Sequence, residues 1–443
     1  MLDYGDTASG FQSSDFTPRQ PFLNAEASAL PLGADDIVVA IPNGQGATGF
    51  AGDTAGDGTV WSPNPTFQPN RLSAAVARYN AAVAYLTAQG YTIVHRGWSH
   101  TSARPDLPDT GGTYATAARI SNAAVSFVDY LRANLTGVSA SYPVTLSAGM
   151  PKADVDGGTD RETFFSAING VRFRRPYAGN IDVMSDHGFG VSGVPVPLGT
   201  DGTHTTHAGE VTKGLLERAV RTEILANAAP SAPWSDDATL WADMAHLYDF
   251  RSGCGVDLKG GADLTTIGGM PNIRFESLLK APVWKAGLTG TRNWAGLPAV
   301  TGPFTFSALV MPDAALAANA VIVGNRDVMA NSITFIANAS KILQFSMGSS
   351  TYQLIGTTAL STTAYTLVTV TYDGTTARIY VGGVLDGTQA IALPATRPAL
   401  YVGGVLASGA GYWRGGYAGL ASWNRALTGA EVAALAAKSW VRA

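Results

Sequence analysis

The spacing of apolar positions along this chain of 443 residues changes near residue 230, and the two sides of that change predict different kinds of structure. Before it, short apolar runs alternate with segments whose apolar residues recur every three or four positions, which is the signature of one helix face. Ile37-Val-Val-Ala-Ile41, Tyr91-Thr-Ile-Val94, Pro143-Val-Thr-Leu146 and Ile181-Asp-Val-Met184 read as buried strands. Leu72, Val76, Tyr79, Val83 and Leu86 line a helix over 71–89 that Gly90 stops. Ala117, Ile120, Ala124, Phe127, Leu131 and Leu135 line a longer helix over 114–135, and further helices are expected over 161–171 and 207–226. Strand–helix alternation of this kind implies right-handed crossovers and a parallel sheet covered on both faces.

The segment Asn227-Ala-Ala-Pro-Ser-Ala-Pro-Trp-Ser-Asp236 has the composition of a linker. From Trp241 to Trp423 the chain turns to short β-rich runs separated by turn signals. Thr363–Tyr372 alternates well, Asp373-Gly374 turns it into Ala377–Val381, and Gly382-Gly383 turns that into Val384-Leu385 before a further Asp386-Gly387. Asp-Gly and Gly-Gly supply the positive φ angles that two-residue hairpins need. A single helix is expected at 428–437, where Thr428 and Glu431 have the spacing of a capping box. The pattern is an all-β sandwich with one terminal helix.

Composition narrows the chemistry. Hydrophobic residues make up 46% and charged residues 14%, so packed domains with a weakly charged surface are expected. A net charge of -4 and the lack of any Lys/Arg run argue against nucleic acid as a partner. The largest basic cluster, Arg172, Arg174 and Arg175, reads as a solvated face at a helix end. One cysteine, Cys254, leaves no intrachain disulfide and no cysteine metal cluster. Asp249, Asp257 and Asp263 lie near one loop but match no defined calcium-ligand spacing, so no metal and no cofactor is called for. Residues 1–35 are polar and irregular and are expected to be an arm that orders only against something else. They hold no secretory h-region, and no apolar run approaches the roughly 20 residues that cross a bilayer, so membrane insertion is not expected.

The second half resembles the laminin-G-like, concanavalin A-like jelly-roll family. The resemblance rests on His246-Leu-Tyr-Asp-Phe250 with Asp257 and Ala262-Asp-Leu264, on Tyr372-Asp-Gly with Ile379-Tyr-Val-Gly-Gly-Val, and on the ending Gly416-Tyr-Ala-Gly-Leu-Ala-Ser-Trp-Asn-Arg-Ala-Leu-Thr-Gly-Ala-Glu-Val432. It implies binding of glycans or proteins at a sandwich face or rim, where aromatic rings meet the apolar faces of sugars. Tyr412, Trp413, Arg414 and Tyr417 are the glycan-binding candidates, with a place for Trp413 and Tyr417 in the core of the last strands as the alternative.

The first half resembles the SGNH-hydrolase fold, a flavodoxin-like three-layer α/β sheet, in its branch related to sialate O-acetylesterases. Asp201-Gly-Thr-His204 resembles that family's terminal block, which implies His204 as general base and Asp201 as the group that orients it; the alternative is a helix cap. Where the family carries a nucleophilic serine after Gly-Gln, this chain has Gly44-Gln45 followed by Gly46, which has no hydroxyl. Gly97, taken to follow the second strand, is the match for an oxyanion-hole glycine, and Ser99 or Ser102 are the substitutes for the missing serine. The family's third block is absent from Ser147–Asp154.

The expected domains are an anchoring arm (1–35), an SGNH-like domain (36–227), a linker (228–236) and a jelly-roll domain (237–443). Together they resemble host-recognition spikes or fibres of phages and phage-like particles. The implied partners are cell-surface polysaccharide, other particle proteins through the arm, and further copies of the chain, at a particle surface outside the cell. The competing expectations are an active carbohydrate O-acetylesterase with a lectin-like targeting domain and a passive structural particle protein.

Overall fold

The structure is a computed structural model that describes residues 39, 70–102, 117–148, 167–168, 170–180, 220–228, 237–252, 255–267, 273–276, 278–279, 281–286, 293–325, 331–349, 351–394, 398–404 and 411–438. Its chain divides into two compact units. One holds Met1–Thr113, Asn122–Arg161 and Arg174–Pro230; the other holds Ser231–Ala443 with the stretches Tyr114–Ser121 and Glu162–Phe173.

The first unit contains helix α1 (Arg71–Ala88), strand β1 (Trp98–Ser102), helix α2 (Ala117–Asn134) from Asn122 onward, and strands β2 (Val144–Ala148) and β3 (Ala178–Asn180). The strands form a parallel sheet in the order β1-β2-β3. Asn70 caps α1 by accepting from the N–H groups of Leu72 and Ser73 at 3.0 and 3.2 Å. Gly90, at φ +87°, ends the helix in the left-handed conformation that glycine adopts without strain. Leu72, Val76 and Val83 of α1 and Phe127, Val128 and Leu131 of α2 are buried, and residues 220–226 form a helical segment that buries Val220 and Ile224.

Several expectations are corrected here. Tyr91–Val94 is not a strand, and both Tyr91 and Val94 are exposed. The strand comes later, at Trp98–Ser102, and its buried His100 packs on Phe127 with ring centroids 4.8 Å apart and the planes tilted by 41°. A core imidazole makes this strand look polar. The next strand pairs over Ala178–Asn180, whereas 181–184 and the expected first strand, apart from residue 39, lie outside the described residues. Of 161–171, residues 167–168 are helical, and Gly170–Phe173 forms a 3-10 turn. Arg175 does lie at the surface, in an exposed ion pair. Arg174 donates to Asn122 at 2.8 Å, and Arg175 grips both carboxylate oxygens of Asp129 at 2.7 Å.

The second unit opens with helix α3 (Ala238–Asp243). Its strands are β4 (Met244–Asp249), β5 (Thr265–Ile267), β6 (Ile273–Glu276), β7 (Ala281–Ala286), β8 (Asn293–Leu297), β9 (Phe304–Pro312), β10 (Ala320–Asn325) and β11 (Ile333–Ala337). They continue with β12 (Ile342–Met347), β13 (Leu354–Ala359), β14 (Thr366–Tyr372), β15 (Thr376–Val381), β16 (Val384–Ala390), β17 (Leu400–Val402) and β18 (Gly415–Trp423), followed by helix α4 (Gly429–Ala437). Seven strands form one sheet in the order β13-β12-β11-β10-β17-β8-β5. The other sheet runs β16-β15-β14-β9-β18-β7-β6, with β4 also on β18. The hairpin turns at Asp373-Gly374 and Gly382-Gly383 fall where the sequence placed them, with all three glycines at positive φ. Asp386-Gly387 is not a turn. It lies inside β16 beside a register shift, and the Asp386 carboxylate crosses to β13 to accept from the backbone and hydroxyl groups of Thr357 and Thr358.

The facing sides of the sheets make a core of aromatic rings. Phe304 packs on Phe306, Tyr372 and Phe345 at 5.1–6.3 Å between centroids, and Trp284 packs on Phe250, Trp294 and Tyr417 at 5.5–6.1 Å. Such pairs add about 0.5–1.5 kcal/mol each beyond area burial. The outer side of the eight-stranded sheet is covered as well. Leu240 of α3 and Val432 and Leu435 of α4 pack with Leu247, Leu309, Leu367, Ala421 and Trp423 into a second buried cluster. Polar ties lock α3 there: Trp423 donates its indole N–H to the Leu240 carbonyl at 2.9 Å, and Lys438 bonds Asp237 at 2.8 Å. On the same side, Tyr365 donates to the largely buried Glu276, which also pairs with Lys285.

One carboxylate organises the loop after β4. Asp257 accepts from the backbone N–H groups of Leu247, Lys259, Gly261 and Ala262 at 2.8–3.0 Å, and from Nδ1 of His246 at 2.8 Å. Burial opposes its charge, but these five donors outweigh burial and hold its pKa below the usual carboxylate range. Its contribution to stability is therefore full above the unfolded value of about 4 and is lost as pH falls through the lowered value. Asp257→Ala is expected to lower the urea midpoint followed by tryptophan fluorescence, by about 2–4 kcal/mol of stability. A second expectation concerns α4. Thr428 accepts from the Glu431 N–H at 3.3 Å, and the Glu431 carboxylate answers the Thr428 N–H at 2.7 Å and Arg425 at 2.7 Å. The Arg425 guanidinium, more than the Thr428 bonds, holds Glu431 at about 2. Thr428→Ala and Glu431→Ala should each cost about 1 kcal/mol, and the double variant less than their sum.

Candidate functional site

Asp201, His204 and Gly46 lie outside the described residues. Gly97 is described, and its expected role is corrected. It precedes β1 instead of following a strand, so it sits at the amino end of that parallel strand. Ligands of parallel sheets collect at the carboxyl ends of strands. Gly97 is instead a packing position: at φ +147°, a Cβ there would lie 3.0 Å from the Pro143 carbonyl oxygen. Ser102 is the last residue of β1, and Ser99 lies within the strand.

Two of the four glycan-binding candidates are likewise corrected. Trp413 and Tyr417 are both fully buried, with centroids 6.4 Å apart in a T-shaped pair, so neither ring has a face to offer a sugar. The cause is the path of the segment before β18. Trp413 N–H bonds to the Gly403 carbonyl, Val321 N–H to Gly411 and Asp313 N–H to Arg414, at 2.8–2.9 Å. The segment thus ties the ends of both sheets, and Trp413 turns inward between them. Tyr412 and Arg414, its neighbours in sequence, are half-buried and exposed respectively.

The strand registers reveal a different surface. The centre of the eight-stranded sheet is covered on both sides, although its edge strand β16 stays exposed, and the other outer face belongs to the seven-stranded sheet. Phe335 pairs with Phe345 and with Val323, and Val323 pairs with Val402, all pointing into the core. Alternation then places the residues between them on the outer face. One row across that face reads Thr265, Ala295, Tyr401, Gly324, Thr334 and Ser346. The adjacent row holds Val321, Ile336, Gln344 and Ile355. Tyr401 is half-buried and has a small residue on either side, Ala295 and Gly324. Gly324 leaves no room for a side chain, since a Cβ would come within 2.6 Å of the Ile333 carbonyl. Thr265 and Ile355 are exposed and Ala295, Tyr401 and Gln344 half-buried, whereas Gly324, Thr334, Ser346, Val321 and Ile336 are closed from solvent, so the open part of the face is its Thr265–Ala295–Tyr401 end and its β12–β13 edge. Tyr352 packs on Val321 and Ile336 at one part of the face.

A tyrosine in a three-residue strand carries no sequence signal of its own. Only the pairing of β17 with β8 and β10 shows that its neighbours are small. The carboxylates near the first loop are used internally instead of pointing to one centre. Asp249 grips the buried Arg251, Asp257 takes the five donors described above, and Asp263 accepts from the Asp257 N–H at 2.8 Å. Among the described residues, no three His, Cys, Asp or Glu side chains gather around one point.

Comparison with known proteins places this half of the chain. Residues 289–433 match the sequence profile of a laminin G type family described as the concanavalin A-like lectin/glucanases superfamily. No curated protein sequence matches the chain. Similar solved structures include domain 4 of AbnA, a GH43 extracellular arabinanase from Geobacillus stearothermophilus, in complex with arabinotriose. It is 17% identical, covers 44% of this chain and 98% of its own, and has a TM-score of 0.37. The sialidase CBM40 of Ruminococcus gnavus bound to α2,3 sialyllactose is 11% identical over 31% of this chain and 84% of its own, at a TM-score of 0.28. Botulinum neurotoxin type C, whose cell entry depends on two ganglioside molecules, is 14% identical over 45% and 52%, at a TM-score of 0.35. The C-terminal region of the chain is a concanavalin A-like jelly-roll domain.

Proposed function

We propose that the jelly-roll domain is a carbohydrate-binding module whose ligand lies on the outer face of the seven-stranded sheet. The observation that carries this is Tyr401, half-buried between Ala295 and Gly324, with the exposed Thr265 beyond Ala295 in the same row. A fixed ring with small neighbours presents a flat platform to the apolar face of a sugar, and a hydroxyl in the same row orients the sugar's own hydroxyls. The matched family includes lectins and glucanases. Binding is favoured over hydrolysis, because the seven strands contain no Asp or Glu, and glycoside cleavage needs a pair of carboxylates flanking the bond. The laminin-G-type ending noted in the sequence supports the same module.

For the whole chain, the proposal extends to attachment. The protein is a host cell-surface polysaccharide-binding spike or fibre of a phage or phage-like particle, located at the particle surface. Residues 1–35 anchor it to other particle proteins, and several copies act together. The first unit is proposed as an esterase-like domain without activity, because Gly46 stands where Gly44-Gln45 should lead to a nucleophilic serine.

Tyr401→Ala is expected to weaken binding to a retained polysaccharide at least tenfold, about 1.4 kcal/mol, with an unchanged circular dichroism spectrum, while Tyr401→Phe keeps most of the affinity. An unaltered Kd for Tyr401→Ala would remove the face from consideration. The purified protein is expected to leave p-nitrophenyl acetate and acetylated capsule intact. Turnover abolished by His204→Ala would establish an active O-acetylesterase instead. Deletion of 1–35 is expected to prevent incorporation into particles, and unchanged incorporation would refute the anchor.

A further inference from the structure

We infer that the glycan taken by this face is uncharged, and that its binding is insensitive to salt; this rests on the proposal above and narrows its ligand class. The basis is a difference between the two sheets. No strand of the seven-stranded sheet, from β5 to β17, contains a Lys, Arg, His, Asp or Glu. The other sheet carries Arg274, Glu276, Lys285, Arg378 and Asp386, with His246 and Asp249 on β4. Low overall charge does not account for this, since the two sheets belong to one domain and divide its strand charges completely.

A sialic acid, uronic acid, sulfate or phosphate group brings a formal negative charge to whatever surface it meets. Pressed against a sheet of hydroxyl, amide and apolar groups, it loses water without gaining a cation, which disfavours its binding there. Sites that take such groups supply an Arg or Lys, usually an Arg that bonds both oxygens. The outer face offers instead a tyrosine ring, the Thr265 hydroxyl and the Gln344 amide, which suit neutral pyranose or furanose units. Among the described residues, the cations nearest in sequence to the sheet's strands are Lys341, in the turn between β11 and β12, and Lys259, before β5, whose ammonium is held by the Trp241 carbonyl. Neither is on one of its strands. Without an ion pair there is little for salt to screen.

The test uses the full chain on immobilised neutral polymers (dextran, arabinan, galactan) and acidic ones (polysialic acid, alginate, heparin), at 50 and 500 mM NaCl. The expected result is retention on at least one neutral polymer, a Kd that changes less than twofold between the two salt concentrations, and loss of retention in Tyr401→Ala. Thr265→Trp, at the exposed end of the row, is the second variant and should reduce retention at least threefold without disturbing buried groups. Retention on acidic polymers alone, weakened tenfold or more at high salt, overturns the inference. If Tyr401→Ala abolishes that retention too, the face remains the site and the cation comes from outside the strands, which Arg292→Ala, Arg326→Ala and Arg414→Ala would locate. Retention on any polymer that neither Tyr401→Ala nor Thr265→Trp affects overturns the face itself, and retention on none overturns both proposals.

Discussion

The sandwich depends on the register of β18. This strand pairs with β9 on one side and with β4 and β7 on the other, and the register shift against β9 between Tyr417 and Gly419 decides which way its side chains point. Side chains alternate strictly along a strand, so one added residue moves everything after it to the opposite face. Before the shift, Tyr417 points inward to Trp284 and Phe250. After it, Ala421 and Trp423 point outward into the cluster under α3 and α4. Without the shift, Trp423 would enter a core already filled by rings, and its indole N–H would lose the Leu240 carbonyl that ties α3 to the sheet. The two buried layers of the eight-stranded sheet thus meet in one strand.

The same shift explains why part of the fold was legible in the sequence and part was not. Two-residue turns announce themselves through Asp-Gly and Gly-Gly, so the β14–β15–β16 meander could be read directly, as could the Thr428–Glu431 capping box. Strand β18 could be found but not oriented. Nearly every residue of it is buried on both faces, so no polar alternation distinguishes inside from outside. Trp413 and Tyr417 therefore looked equally suited to a surface and to the core. Asp386-Gly387 misled for a related reason: a bulge uses the same residue types as a turn, and only the bonds to Thr357 and Thr358 separate them. In the first unit, His100 did the work of an apolar residue, and the strand that contains it was missed in favour of exposed Tyr91–Val94.

The candidate face was hidden by topology, not by chemistry. Its strands are scattered from residue 265 to residue 402, and the sheet order β10-β17-β8 joins segments about a hundred residues apart. The 14% charged content of the chain was plain from composition, but its exclusion from one whole sheet appears only once strands are assigned to sheets. Tyr401 has no motif around it. Its significance comes from Gly324 and Ala295, which are its neighbours across the sheet and not along the chain.

An uncharged platform around Tyr401 also sets the strength of what it can hold. Ring stacking and a few hydroxyl contacts exposed to water yield weak binding per site, because each polar contact replaces one that water already supplied. Ionic steering is absent, so association is not accelerated by charge either. Under the attachment role proposed above, such a face would gain its hold from repetition. Several faces engaging one repetitive polymer convert later contacts into intramolecular ones, and avidity then exceeds the single-site affinity by two to four orders of magnitude, about 10²–10⁴. Weak, neutral, repeated contact also tolerates changes of ionic strength that would release a charged grip. The chemistry of the face and the number of copies that present it are thus one question.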